Sequence, residues 1–316
     1  MRTENHYLDY ALRPQNSDAY PLDWQTAFDG DAPLAVEIGF GNGEFLVDWA
    51  TRQPGWHFVG LELSIESMER LLRRIQKHRL TNIRPILEDA RFAVGEFFAD
   101  NSLTHVMMNF PDPWPKDRHQ DRRLLDEPFI ETLGAVLKKK HYYELVSDQK
   151  WYAEHTYSLF QDAPYFDDVE FTENPVREIA TKYEKKWQEM GRSSYRVLAR
   201  KCKTPAIVRR LEDEAMPHAF VETVVDEKSI KELIGFKKSE ADLFFVVKDT
   251  YGDINSAKYL LHVIAKDGAH KQNFHVVINQ QKKGRWIVKL DPNTQPYRTP
   301  AVKMAVHEIG NRLANS

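Results

Sequence analysis

Four acids and three glycines are spaced so that they could share one ligand. Glu37 opens Glu37-Ile-Gly39-Phe-Gly41-Asn-Gly43, Glu62 closes WHFVGLEL, Asp89 lies in ILEDAR, and Asp112 stands between two prolines in FPDPWP. Glycines let a backbone pass close to a ligand, and the helix that follows them offers free N–H groups. A dinucleotide fingerprint would read G-x-G-x-x-G. Here the third glycine comes one place early and Glu44 stands where it should be, an unfavourable charge beside a pyrophosphate. Any one of these acids alone reads as a solvated strand end or a cap. Recurring at successive strand ends, they suit a ligand with hydroxyl and amino donors. Glu62 could accept two ribose hydroxyls and Asp89 an adenine amino group.

The E-x-G-x-G-x-G spacing resembles that of S-adenosylmethionine-dependent methyltransferases. That cofactor has no phosphate, and its amino group and sulfonium are cationic, so a nearby carboxylate suits it. Asp112 is fixed by Pro111, Pro113 and Pro115. Each proline locks its own φ and pushes the residue before it out of the α region. The stretch 110–115 is therefore neither helix nor central strand. The bland alternative is a rigid surface turn. Cations follow at once: Lys116, Arg118, His119, Arg122 and Arg123. Further on, Asp148 ends a strand in ELVSD, and Thr181-Lys182-Tyr183-Glu184 precedes a helical pattern. A T-x-x-E there is also a capping box, and that reading stands beside a role in the site.

The elements that must position these residues alternate. LAVEIGF, WHFVGLEL, NIRPILE, SLTHVMMNF and HYYELVS read as strands. GEFLVDWATRQ, SIESMERLLRRIQKHRL (with Ser64 as N-cap), PFIETLGAVLKKK and QKWYAEHTYSLFQD read as helices. VEFTE and SYRVLARK close the series. Alternation at this spacing predicts a doubly wound α/β sheet, which binds ligands beyond the carboxyl ends of its strands. The pattern changes near residue 202. FVETVV, DLFFVVKD, AKYLLHVIA, QNFHVVINQ and GRWIVKL, separated by turn residues and followed by the helical TPAVKMAVHEIGNRL, predict a second, smaller and mostly antiparallel α+β domain. The expected division is an N-terminal extension over 1–33, a first domain over 34–204, a linker over 205–220 and a second domain over 221–316.

The 316 residues are 42% hydrophobic and 29% charged, as in a globular protein with a real core. No run approaches the roughly 20 apolar residues of a membrane span. The start, MRTENHYLDYALRPQ, is polar and contains acids, unlike a signal peptide. The single cysteine, Cys202, excludes an internal disulfide framework and a Cys-rich zinc site. Twelve histidines show no metal-ligand spacing. A cytoplasmic protein without membrane or metal is expected. The net charge of -3 is unevenly spread. Residues 221–316 hold 15 basic against 11 acidic residues, and the rest hold 29 against 36. Local patches must therefore carry any contact with a polyanion. Lys237, Lys238, Lys282, Lys283 and Arg285 suggest one on the second domain, with a stabilising add-on as the alternative.

Over about residues 30–201 the chain closely resembles the bacterial tRNA (guanine-N7-)-methyltransferase family, on FPDPWPK-x-RH-x-x-RR and the downstream T-x-Y-E. The resemblance implies a class I methyltransferase fold and S-adenosylmethionine as cofactor. It implies cofactor contacts at Glu37, Glu62, Asp89 and Asp112 around the glycines 39, 41 and 43, with Asp112 also the catalytic candidate. It implies substrate contacts at Lys116, Asp148 and Thr181 to Glu184, and RNA contacts from Arg118 to Arg123. The implied partner is tRNA and the usual target guanosine 46 of the variable loop; a homodimer is an admissible assembly. There are departures. Gln120 and Asp121 interrupt the basic run, Lys138-Lys139-Lys140-His141 replaces a Pro-Gly-Gly turn, and Gln149 replaces an aromatic. Three rivals stand against this reading. A silent RNA-binding protein would lack the cofactor acids. A nicotinamide oxidoreductase is opposed by the glycine spacing. A methyltransferase for a protein or small molecule is opposed by the basic run.

Overall fold

The computed structural model describes residues 10–116, 118, 123–177, 191–211, 215–253, 256–281 and 284–315. Two compact units emerge, one of Met1–Pro14 with Tyr20–Arg209, the other of Gln15–Ala19 with Arg210–Ser316.

The first unit holds a seven-stranded sheet in the order β3-β2-β1-β4-β5-β7-β6. Its strands are β1 (Leu34–Ile38), β2 (His57–Glu62), β3 (Ile83–Leu87), β4 (Leu103–Asn109), β5 (Leu137–Ser147), β6 (Phe166–Glu173) and β7 (Tyr195–Lys201). The first five run parallel, and β7 is antiparallel to both its neighbours. This is the class I methyltransferase fold. Strand order reverses between β1 and β4, which opens a crevice at their carboxyl ends. Every residue of β1 is buried. The register aligns Glu37 of β1 with Met107 of β4, and Met107 with Glu144 of β5. Side chains alternate along a strand, so these three share one face.

The helices are α1 (Trp24–Phe28), α2 (Glu44–Arg52), α3 (Ile65–His78), α4 (Ala90–Phe97), α5 (Glu127–Val136) and α6 (Lys150–Asp162). Phe45, Leu46 and Trp49 of α2 and Leu71, Leu72 and Ile75 of α3 pack with Ala35, Phe58 and Met107 of the sheet. Ser64 caps α3 as expected, accepting from Ser67 N at 3.3 Å. The structure adds α4, which the sequence reading did not include, sets β8 at His218–Val221 where FVETVV was expected, and moves one helix–strand boundary. The helix expected to run through Lys140 ends at Val136, and Leu137–Lys140 already belong to β5. Leu137 pairs with Leu103, and buried Lys201 donates to the Ala135 and Leu137 carbonyls at the junction. The sheet ladder and this buried ammonium supply partners that another helical turn would forfeit.

The second unit is a six-stranded antiparallel sheet, β8-β13-β12-β11-β10-β9. Its strands are β8 (His218–Val221), β9 (Lys237–Glu240), β10 (Leu243–Gly252), β11 (Lys258–Asp267), β12 (His270–Gln280) and β13 (Trp286–Leu290). A short helix α7 (Glu227–Lys231) and the long α8 (Pro300–Ala314) accompany them. Ala301, Val302, Ala305, Val306 and Ile309 of α8 form one core with Phe245, Val263, Phe274, Val276 and Val288. Buried Asp267 anchors the start of α8 by accepting from Thr299 Oγ1 at 2.6 Å and Ala301 N at 2.9 Å. Among the described residues no helix is long and apolar enough to cross a membrane.

Candidate active site

The glycine loop leaves β1 through three residues with left-handed φ: Gly39 at 70°, Gly41 at 53° and Gly43 at 72°. Side chains there would be strained. At Gly43 a Cβ would also lie 2.6 Å from Leu71 Cδ1, so glycine lets α2 start against α3. Glu44, read as hostile to a pyrophosphate, is paired with Arg74 at 2.7 Å. Its charge is largely answered, and the case against a dinucleotide rests on the glycine spacing.

Glu62 Oε2 accepts from Gly41 N at 3.0 Å, while its Oε1 accepts from Leu63 N and Ser64 N at 2.8 and 3.2 Å. It thus braces the glycine loop and the entry to α3. Asp89 is the N-cap of α4, accepting from Arg91 N at 2.8 Å. The capping role is therefore realised in Asp89, while Glu62 serves as a local brace. A cavity of about 250 Å³ lies between them, lined by Gly39, Glu62, Leu63, Asp89, Arg91 and Leu124 among others. Arg91, which the sequence did not single out, donates to the Arg123 and Leu124 carbonyls at 2.8 and 3.2 Å and pairs with Asp126 at 2.5 Å. It ties the segment after the basic run to this cavity.

Glu37 is 1% exposed. Its Oε1 accepts from Asn109 Nδ2 at 2.9 Å, and its Oε2 is buried without a partner among the described residues. Burial pushes the carboxyl up to about 7, against the Asn109 bond and the Arg177 charge, with Glu62 adding to the rise. An orphaned buried carboxylate oxygen is costly unless a ligand uses it. A cationic amino group is the chemistry it fits, so the residues present fit S-adenosylmethionine.

Asn109 and Arg177 belong to a network that the sequence reading missed. Arg177, just beyond β6, donates from Nη2 to Asn109 Oδ1 at 3.0 Å, and its Nε lies 3.6 Å from Glu144 Oε1. Its side chain is 6% exposed, and its guanidinium sits 5.1 Å from the Phe45 ring centroid. His105 Nε2 lies 3.4 Å from Glu144 Oε2. Burial opposes ionisation of Glu144, but His105, Arg177 and Arg196 outweigh it and lower its pKa. A polar residue ending β4 was the one local signal for Asn109; nothing local pointed to Arg177.

The proline clamp departs from the expected backbone. Phe110 and Trp114, both before prolines, have φ of 48° and 45°, where β or polyproline geometry was expected. Such bulky residues with positive φ carry backbone strain of about 1–3 kcal/mol each. Two ties oppose it. Phe110 N donates to Val146 O at 2.7 Å, and Arg123 donates from Nε and Nη2 to the Trp114 carbonyl at 3.1 and 3.0 Å. The Arg123 guanidinium also lies over Trp151, 5.1 Å from its ring centroid. Asp112 is exposed and lines neither the 250 Å³ cavity nor the one beside Arg177.

Residues 31–197 match a family described as "Putative methyltransferase". A tRNA (guanine-N(7)-)-methyltransferase of Thermotoga maritima is 40% identical over 306 residues, 96% of this chain and 97% of that one. The chain belongs to the tRNA (guanine-N(7)-)-methyltransferase family. Proteins of the same description from Coprothermobacter proteolyticus and Aquifex aeolicus are 30% and 31% identical, over 96% and 89% of this chain and 93% and 94% of theirs.

The other residues expected from the family motifs are placed unevenly. Lys116 and Arg118 are exposed. Asp148, just beyond β5, is half-buried and accepts from Gln149 Nε2 at 3.0 Å. His119, Arg122 and Thr181 to Glu184 lie outside the described residues. Among the described residues no group of three or more His, Cys, Asp or Glu is arranged to hold a metal ion.

Proposed function

We propose that Glu37, Glu62 and Asp89 hold S-adenosylmethionine across the glycine loop, and that the methylated atom is N7 of guanosine 46 in tRNA. The protein is an S-adenosylmethionine-dependent tRNA (guanine-N7-)-methyltransferase. The observation that carries the cofactor assignment is the unpartnered Glu37 Oε2, buried at the foot of three glycines with left-handed φ.

The cofactor, when bound, supplies an electrophilic methyl group on a cationic sulfur. Guanine N7 has a free lone pair at neutral pH, so the protein needs no base to bare it. Its task is alignment and the stabilisation of charge on the purine. Glu37 Oε2 receives the ammonium of the cofactor's amino acid, Glu62 the ribose hydroxyls and Asp89 the adenine amino group. Asp112 faces the imidazole edge or exocyclic amine of the guanine, where a carboxylate favours a cationic ring. Asp148 and Thr181 to Glu184 hold the base. Lys116, Arg118, His119 and Arg122 hold phosphates, a salt-sensitive contribution. Arg123, fastened to Trp114, contributes by fixing the clamp.

Exposed Arg285 and Lys289 of the second unit offer cations to the tRNA, and a tRNA substrate supports work in the cytoplasm. One chain carries every residue named, so the reading needs no dimer. Mass mapping of tRNA from a strain lacking this protein tests it. Loss of 7-methylguanosine at position 46 alone is the expected result, and an unchanged modification profile would refute it.

A further inference from the structure

Glu37 is reached from one side by two residues in series. Asn109 Nδ2 holds Glu37 Oε1 at 2.9 Å, and Arg177 Nη2 holds Asn109 Oδ1 at 3.0 Å. The order fixes which way the amide points. An Asn side chain can turn over and exchange its oxygen for its nitrogen. Arg177 has only donors, so it selects the orientation in which Asn109 offers its own donor to Glu37. Arg177 is held in turn by Glu144, 3.6 Å away, and by the face of Phe45 in α2. Occupying Oε1 in this way leaves Oε2 as the oxygen without a partner among the described residues.

We propose that Arg177 and Asn109 are positioning residues for cofactor binding, which orient the Glu37 carboxylate so that Oε2 receives the ammonium of the methionine moiety. The proposal rests on the assignment of Glu37 to the cofactor. Arg177 touches neither substrate nor cofactor in this account and acts through Asn109. It stands four residues before Thr181 of the T-x-Y-E motif. The chain thus sets the acid that grips the cofactor from the segment leading to a motif read as gripping the base. The competing explanation is that Arg177 and Glu144 form a buried ion pair that only supports packing.

A pair of ligands separates the two. S-adenosylhomocysteine carries the ammonium; 5′-methylthioadenosine keeps the adenosine and sulfur and lacks the amino acid. Calorimetry on the full chain would measure both affinities for wild type, Glu37→Gln, Asn109→Asp and Arg177→Met, with a thermal melt of each free protein. Asn109→Asp keeps the shape and the acceptor for Arg177 and sets a second carboxylate against Glu37 where the donor was, so it perturbs the relay while Arg177 and Glu144 are both kept. Asn109→Asp and Arg177→Met are each expected to weaken S-adenosylhomocysteine about 10-fold or more, the scale of one hydrogen bond to a charged group. Methylthioadenosine affinity should stay within about twofold, below the worth of a typical hydrogen bond. Equal weakening of both ligands, or no weakening of either, in folded Asn109→Asp would overturn the relay. Glu37→Gln serves as the reference. If it loses S-adenosylhomocysteine selectively and the other two do not, the relay alone is wrong; if it loses nothing, the cofactor role of Glu37 fails and the relay with it.

Discussion

Arg123 donates two hydrogen bonds to the carbonyl of Trp114, nine positions earlier, at 3.1 and 3.0 Å. The last cation of that run is thereby committed to the backbone of the proline clamp. Arg123→Lys keeps the charge and loses the fork. It should cut turnover, with a loss on the scale of about 1.5–3 kcal/mol for hydrogen bonds to a charged group. The salt dependence of tRNA binding should not change. Arg118→Ala, at an exposed residue, should do the reverse, flattening the plot of log affinity against log salt by about one phosphate contact. Asp112→Asn should leave the fold intact and slow methyl transfer, since the prolines and Arg123 set the clamp. A common salt-slope change in Arg123→Lys and Arg118→Ala would return Arg123 to the phosphates.

Glu37 carries a pH signature. Its carboxyl is raised from 4.5 to about 7, first by burial, with Asn109 and Arg177 opposing the rise and Glu62 adding to it. Its folded value lies above its unfolded one. The stability it contributes is complete below about 4.5 and is lost as pH rises through about 7. The free protein should thus lose stability from this group across that window. Subtracting the profile of Glu37→Gln separates it from His57, His141 and His155, whose depressed values act in the opposite sense. Cofactor binding should pull the other way. An ammonium on Oε2 favours the ionised carboxylate, so affinity should rise between about pH 6 and 8 with release of a proton. Affinity independent of pH in wild type would contradict the pairing.

Glu62 holds three backbone N–H groups, one from Gly41 in the glycine loop and two from Leu63 and Ser64 at the entry to α3. Glu62→Ala should weaken S-adenosylmethionine by about 1–3 kcal/mol and also lower the melting temperature, because the N–H groups of Gly41, Leu63 and Ser64 lose their acceptor. Calorimetry and a melt on one preparation check both. Full cofactor affinity in a folded variant would remove the ribose role and leave a cap.

Much of this site was legible because its signals are local. The glycines, Glu62 and Asp89 sit at strand ends that hydrophobic patterning marks well, and Ser64 announces α3. Glu37–Asn109 and Asn109–Arg177 span 72 and 68 residues, and no local pattern records such a pairing. The second sheet shows the same limit. Strands β10 to β13 carry apolar runs and were expected, whereas β9 is Lys-Lys-Ser-Glu. It is an edge strand, where charge discourages pairing with another chain, so its sequence hides the strand it forms. Asp112 was legible in the sequence as an acid fixed by prolines, but the left-handed turns at Phe110 and Trp114 were not, since proline alone argues against them.

Of the cations first expected on the second unit, Lys237 and Arg285 are exposed. Lys238 is paired with Glu308 at 3.1 Å, and Lys282 and Lys283 lie outside the described residues. Arg285, just before β13, lies over the exposed Phe220 ring of β8, 3.9 Å from its centroid, and exposed Lys289 is on β13. Arginine on an aromatic face is a surface on which nucleic acid can rest. Arg285→Glu with Lys289→Glu in the full chain should weaken tRNA binding and reduce its salt slope by about one per lost contact, with cofactor affinity unchanged. Unaltered tRNA affinity and slope would leave this unit with a stabilising role.

The central claim is tested most directly by locating the methyl group that the purified protein adds. The protein would be incubated with isotopically labelled S-adenosylmethionine and two tRNA transcripts, one with guanosine and one with adenosine at position 46. The digested products would then be mapped by mass. One labelled 7-methylguanosine at position 46 of the first transcript, and no label in the second, is the predicted result. Label at another atom or position, or equal label in both transcripts, would contradict it.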